Sequence, residues 1–307
     1  MSRLKADLLL LLVALIWGGA FVAQKDVLAH IGSFTFVAAR FALSALLVLP
    51  LAWREQRQAK QAGASIARRT AGDLVLLCVA FAVAVLAQQG GIEKTSITNT
   101  GFLTGLYVLF VPVICRVLYR ERLSALIFPA ALLSVIGVFL LSGGTMTSLS
   151  SGDMLVLLCA GGFALQVTLV GRIMARVKAP FRLCFIQYAA VAAVSGIGAL
   201  VFEHPAPENI LQAWGPIIYA GAISGGIAYT LQVVAQQYTP AADSAVILSG
   251  EAVFAAFAAA LLNGERLTGL GALGCALIIL AILMVEFGPF LLMRLREHQG
   301  PPKAEKP

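Results

Sequence analysis

The stretch ILSGEAVFAAFAAALLNGERL (247–267) holds a carboxylate, Glu251, well inside a run that is otherwise apolar or small. A charged side chain at mid-bilayer costs roughly 2.5–3.5 kcal/mol on insertion scales, so an acid kept there faces a polar cavity or a partner. Such a carboxylate could hold a substrate ammonium or a coupling proton; the competing role is a structural acid bonded to a neighbouring helix. Arg40, about two turns into SFTFVAARFALSALL, is the only cation placed clearly within an apolar segment. Its planar guanidinium suits a substrate carboxylate, although its long stem could instead carry the charge to the interface. Trp17 and Tyr107 lie at mid-membrane depth, away from the interfacial belt where such rings anchor, and could wall a small amphipathic solute. Gln88, Gln166 and Gln232 complete the candidate set for substrate binding or coupling. Like Asn99, Thr104 and Tyr229, they need partners away from lipid, and bonds between helices are the simpler way to supply them.

Other chemistries lack their residues. The three histidines (His30, His204, His298) are scattered, with no acid or cysteine at metal-ligand spacing, so neither a metal nor another cofactor is expected. No nucleophile and base pair stands out in the spans, which argues against an intramembrane enzyme. There is no Gly-rich phosphate loop followed by Lys-Ser/Thr, so ATP cannot drive the chain directly. GLGALG (269–274) matches the dinucleotide pattern formally, but that motif needs a preceding strand, and this one opens an apolar helix. Its glycines, like Gly101 with Gly105 and Gly221 with Gly225, are expected to let helices approach closely.

Positioning these groups falls to membrane helices. Of the 307 residues, 60% are hydrophobic and only 12% charged, with a mean hydropathy of +0.90, outside the range of water-soluble domains. Apolar runs broken by charge, Gly, Pro or polar clusters predict ten spans near 4–24, 34–53, 72–92, 97–119, 124–143, 152–174, 181–202, 213–237, 242–263 and 268–290. The basic, apolar opening mimics a secretory signal, yet it is long enough to span and leads directly into further helices, so it reads as a retained first span. With ten spans and a cytoplasmic amino terminus, eighteen of the 22 Lys and Arg fall in inside segments and only Lys25, Lys94 and Arg266 outside. That bias places both termini in the cytoplasm. It also assigns the net charge of +7 to membrane orientation, leaving no call for a nucleic-acid partner. The polar stretch 54–72 is expected along the cytoplasmic surface, and the tail 291–307 is expected to be disordered and cytoplasmic.

The chain also repeats itself. A shift of 144 aligns Gln88 with Gln232, Asn99 with Asp243, Phe110 with Phe254, and Glu121-Arg122-Leu123 with Glu265-Arg266-Leu267. A shift of 146 aligns Asp7 with Asp153 and the Trp17 region with Phe163. The fold class expected is therefore an all-α integral membrane protein: ten transmembrane helices as two five-helix repeats, 1–145 and 150–290. Five is odd, so the second repeat enters the membrane inverted, the arrangement on which secondary transporters build alternating access.

LIWGGAFVAQK, FVAARFALSALL, FLTGLYVLFVPV and LSGEAVFAAFAAALLNGERLT, together with the paired Glu-Arg-Leu triplets, resemble the EamA group of the drug/metabolite transporter superfamily over nearly the whole chain. One departure is Ala252, where many relatives carry proline after the ninth-helix acid. The resemblance implies a ten-helix, multi-pass protein of the bacterial inner membrane that moves small metabolites such as amino acids. The resulting expectation is a secondary transporter, an exporter of amino acids or related amphipathic solutes. Its partners would be a small-molecule substrate and the lipid bilayer; a channel-like facilitator is the alternative, and the oligomeric state is left open.

Overall fold

The computed structural model describes residues 1–61, 68–144, 150–263 and 268–298. Every regular element among them is helical. Among the described residues nine helices are long and apolar enough to cross a membrane: α1 (Arg3–Ala29), α2 (Ser33–Gln61), α3 (Thr70–Lys94), α4 (Ile97–Val117), α6 (Ser151–Arg176), α7 (Pro180–Glu203), α8 (Trp214–Ala235), α9 (Ala241–Ala258) and α10 (Gly269–Gly288). Between α4 and α6 runs a shorter apolar helix, α5 (Ile127–Leu141). These are the ten elements the apolar runs predict.

Local chemistry sets where they start. Ser2, Ser96 and Ser150 are N-caps whose hydroxyls accept the N–H three residues on, from Lys5, Asn99 and Asp153. Pro180 opens α7, where its missing N–H costs no helical bond. Two expectations need adjustment. The polar stretch after 53 is largely helix, since α2 continues to Gln61 and the next helix begins at Arg68. The last helix runs to His298, so the expected disordered tail begins as helix over 291–298, a stretch rich in good helix formers. Residues 299–307, and the second Glu-Arg-Leu triplet at 265–267, lie outside the described residues.

The two halves, 1–145 and 150–290, are interleaved and inverted. The most extensive helix contacts pair opposite halves: α2 with α7, α3 with α6, and α5 with α10. Inversion shows in reciprocal bonds. The Glu203 carboxylate, at the end of α7, accepts the N–H groups of Phe34 (2.8 Å) and Thr35 (2.7 Å) at the start of α2. At the other end of the pair, the Glu55 carboxylate accepts the N–H of Arg182 (2.9 Å) at the start of α7. Residues 34 and 182, like 55 and 203, are 148 apart, so each helix caps its antiparallel twin in the same way. Such exchange of equivalent contacts is what a two-fold axis between the halves produces.

Small residues bring the backbones together where lipid gives no hydrophobic drive. A Cβ on Gly162 of α6 would lie 3.0 Å from the Ala80 carbonyl of α3, and one on Gly137 of α5 2.7 Å from the Gly274 carbonyl of α10. Gly221 of α8 sits against the Arg40 carbonyl of α2, where a Cβ would come within 2.8 Å. The pair Gly101 and Gly105 does not meet the same expectation: nothing lies within 4 Å of a Cβ on Gly101, and Gly105 meets only the Val138 side chain.

Candidate functional site

Three of the helices are interrupted at mid-span. α1 breaks at Gly19 between Arg3–Gly18 and Ala20–Asp26, α4 at Leu106 between Ile97–Gly105 and Tyr107–Val117, and α9 at Ser249 between Ala241–Leu248 and Gly250–Asn263. The break in α9 needs no proline. The Ser249 hydroxyl donates to the Val246 carbonyl at 2.6 Å, a local bond that competes with the helical ladder, and Gly250 follows. At the repeat offset of 144, Leu106 corresponds to Gly250 and Tyr107 to Glu251. The two helices therefore break at matching places, and each sets its functional candidate in the first turn after the break.

Around these breaks lies a central cavity, and all seven residues singled out from sequence line it: Trp17, Arg40, Gln88, Tyr107, Gln166, Gln232 and Glu251. Most of the wall is made of repeat pairs. Trp17 and its counterpart Phe163, Gln88 and Gln232, Thr104 and Leu248, Ala20 and Gln166, and Tyr107 and Glu251 all line it. The cavity therefore straddles the axis relating the halves. About 40 Å³ is open to water-sized centres, room for only a few waters when one needs ~10–15 Å³.

Arg40 points inward and is only 4% exposed, so the snorkelling alternative does not hold. Its Nη1 donates to the Gln24 carboxamide oxygen at 3.1 Å, and its guanidinium carbon lies 4.7 Å from the Phe41 ring centroid. Its Nε is buried with no partner, and among the described residues no carboxylate pairs with it. Glu251 is 8% exposed and forms neither an ion pair nor a side-chain hydrogen bond with the described residues. Neither group is in an ion pair among the described residues, so the cavity presents one guanidinium and one carboxyl group that its own protein partners do not neutralise, and a charge left there without a counter-charge is strongly unfavourable.

The polar ring around them is partly satisfied. The Gln88 amide donates to the Thr104 hydroxyl at 3.4 Å, and the Gln232 amide donates to the oxygens of Gln166 (3.3 Å) and Gln236 (3.1 Å). The interhelical bonds expected of such groups thus form, yet Gln166 Nε2, Gln232 Oε1 and Tyr107 Oη are buried with no partner. The aromatic side is built by Trp17 and Tyr229, whose ring centroids are 4.6 Å apart. Trp17 Nε1 donates to the Ser224 carbonyl at 3.2 Å, within the π-helical segment Tyr219–Tyr229 of α8, where wide turns leave carbonyls free for such a bond. Sequence reasoning missed Gln24, Phe163 and Ser224 as parts of this wall. The offset of 146 already set Phe163 against the Trp17 region without assigning it to a cavity wall; Gln24 and Ser224 carry no comparable repeat signal.

The EamA-like transporter family model matches residues 4–143 and again 150–287, which are the two halves described above. The chain belongs to the EamA-like transporter family. It is accordingly a multi-pass membrane transporter and not an enzyme. A relative from Archaeoglobus fulgidus described as an uncharacterized transporter is 31% identical over 287 residues, covering 93% of this chain and 87% of the relative. A solved crystal structure, 19% identical, superposes with a TM-score of 0.75 over 96% of this chain and 99% of that one, and so shares the EamA-type fold.

Proposed function

We propose that the chain is a secondary transporter that exports small amphipathic metabolites, amino acids or related zwitterions, across a bacterial inner membrane by alternating access, with both termini in the cytoplasm. The observation that carries this reading is a buried guanidinium and a buried carboxyl group in one axial cavity, neither of them in an ion pair among the described residues. In it Arg40 receives the solute's carboxylate and Glu251 its ammonium or a coupling proton. Trp17, Tyr107 and Tyr229 contact its apolar part, and Gln88, Gln166 and Gln232 supply the remaining hydrogen bonds. The inverted halves support the alternating step, because repeats related by an axis in the membrane plane can expose one midplane site to either side. The cavity in this structure is too small for such a solute, so binding requires the helices to part.

The test is counterflow in proteoliposomes with a panel of radiolabelled amino acids, with and without a pH gradient. Saturable exchange accelerated by unlabelled solute on the far side is the expected result. Flux that does not saturate and is not accelerated would identify a channel-like facilitator instead.

A further inference from the structure

Above and below the cavity the halves are fastened by one device built twice. At the end that carries the amino terminus, the Asp7 carboxylate of α1 accepts a hydrogen bond from the Thr239 hydroxyl, just before α9, at 2.6 Å. Beside it Arg3 bonds Asp243 at 2.6 Å. At the opposite end, the Asp153 carboxylate of α6 accepts from the Thr95 hydroxyl, just before α4, also at 2.6 Å, and from the Asn99 amide at 3.3 Å. Asp7 and Asp153 are 146 apart, and Thr95 and Thr239, like Asn99 and Asp243, are 144 apart. The two contacts are therefore one contact carried across the axis. Each joins the first helix of one half to the fourth of the other. Both acids are buried, at 4% and 2% exposed, and hydrogen bonds to a carboxylate are about twice as strong as neutral ones.

Their placement separates them from the α2–α7 seam. That seam carries its own carboxylate caps, Glu203 at one end and Glu55 at the other. The Asp–Thr contacts tie α1 to the start of α9 at one end of the bundle and α6 to the start of α4 at the other, so parting either pair of helices at that end breaks its contact. In this structure both are made, and the cavity has room for only a few waters. The two latches differ in their surroundings: Asp7 lies beside Arg3, Asp243 and Glu286, whereas Asp153 is held in a capping box with Ser150.

We propose that Asp7–Thr239 and Asp153–Thr95 are the alternating gate latches of the transport cycle, each broken in one open state and made in the other, so that their relative strength sets which side the cavity faces. A two-state equilibrium responds only to interactions that differ between its states, and these contacts do by position. The inference rests on the carrier reading above, but its test reads conformation and not flux.

Hydrogen–deuterium exchange on the full chain in lipid nanodiscs would compare wild type with Thr239→Val and Thr95→Val, which remove the donor at nearly constant shape. Thr239→Val should speed exchange at residues 238–243 and slow it at 91–99, by about tenfold or more, as for loss of one hydrogen bond to a charged group. Thr95→Val should give the mirror image. Thr239→Ser, which keeps the donor, should match wild type, and the double Val variant should return the ratio of the two ends toward wild type. Faster exchange at both ends in each single variant, a purely local change, or additive loosening in the double variant would overturn the latches. Asp7→Asn and Asp153→Asn provide an independent pair should either Val variant fail to fold. Mirror-image exchange without solute counterflow would remove the carrier reading yet retain the latches; counterflow with any of the overturning patterns would do the reverse.

Discussion

The two halves offer the central cavity the same backbone and different chemistry. At the break of α4 the first half presents Tyr107; at the matching break of α9 the second presents Glu251. The first half contributes Trp17 and Ala20 where the second has Phe163 and Gln166. Arg40 of α2 corresponds, at the 148 offset, to Tyr188 of α7, a buried phenol bonded to Thr230 at 3.1 Å. The duplicated frame thus supplies symmetry, while departures at a few equivalent positions supply polarity. Cation and acid come from different halves, so a solute held between them has one orientation about the axis. On the carrier reading proposed above, a symmetric frame would also let the same site be exposed on either side without being rebuilt.

The frame, common to both halves, should tolerate least. Gly274→Leu would drive a side chain into the Gly137 carbonyl of α5, a backbone neighbour that cannot swing aside. Overpacking costs typically ~1–3 kcal/mol and more against rigid backbone, so thermal denaturation should show the lowest melting temperature of the set, with loss of folded yield. Next comes the acid that sets the halves apart. Glu251→Gln should cut counterflow by about tenfold or more at normal protein level, as for loss of a charge-assisted contact, whereas Tyr107→Phe should cost only a few-fold. Full activity of Glu251→Gln over the whole pH range would remove the acid from the mechanism.

Arg40→Lys retains the charge but loses the planar fork. Half-saturation in the same assay should rise by about tenfold, a shift of ~1.4 kcal/mol. Gln166→Ala makes the second half match Ala20 and should weaken apparent affinity by about threefold to tenfold, in line with one neutral hydrogen bond. The smallest effect belongs to Trp17→Phe, which makes the first half match Phe163. It keeps an aromatic face but gives up the bond to the Ser224 carbonyl, and transport should change by less than about fivefold.

Much of this was legible before any coordinates. Apolar runs of bilayer length located the ten helices, because a span must satisfy its backbone internally and cover itself with apolar side chains. The 144 and 146 offsets marked the halves, and Glu251 stood out because its surroundings are so apolar. Seven residues chosen for polarity or aromaticity at mid-depth line one cavity for the same reason: groups that lipid rejects turn inward toward polar space. Orientation within that space was not legible. Whether Arg40 snorkelled or turned inward depended on Gly221, which brings α8 against its backbone, and on Gln24 of α1, which accepts a bond from its guanidinium. The α9 break at Ser249 without proline, and the open surroundings of Gly101, were equally hidden, since each depends on what the neighbouring helix places opposite.

The amino-acid sequence by itself determined the solvent, the number of spans and the duplication, all of which follow from local hydropathy and from comparing the chain with its own shifted copy. Only the tertiary structure decided that Tyr107 and Glu251 line one cavity on the axis, that Arg40 has no carboxylate partner among the described residues, and that Asp7 and Asp153 each reach a threonine of the opposite half. Those facts join residues as far as 232 positions apart, and contact at that separation is set by how helices pack, which no local property of the chain encodes.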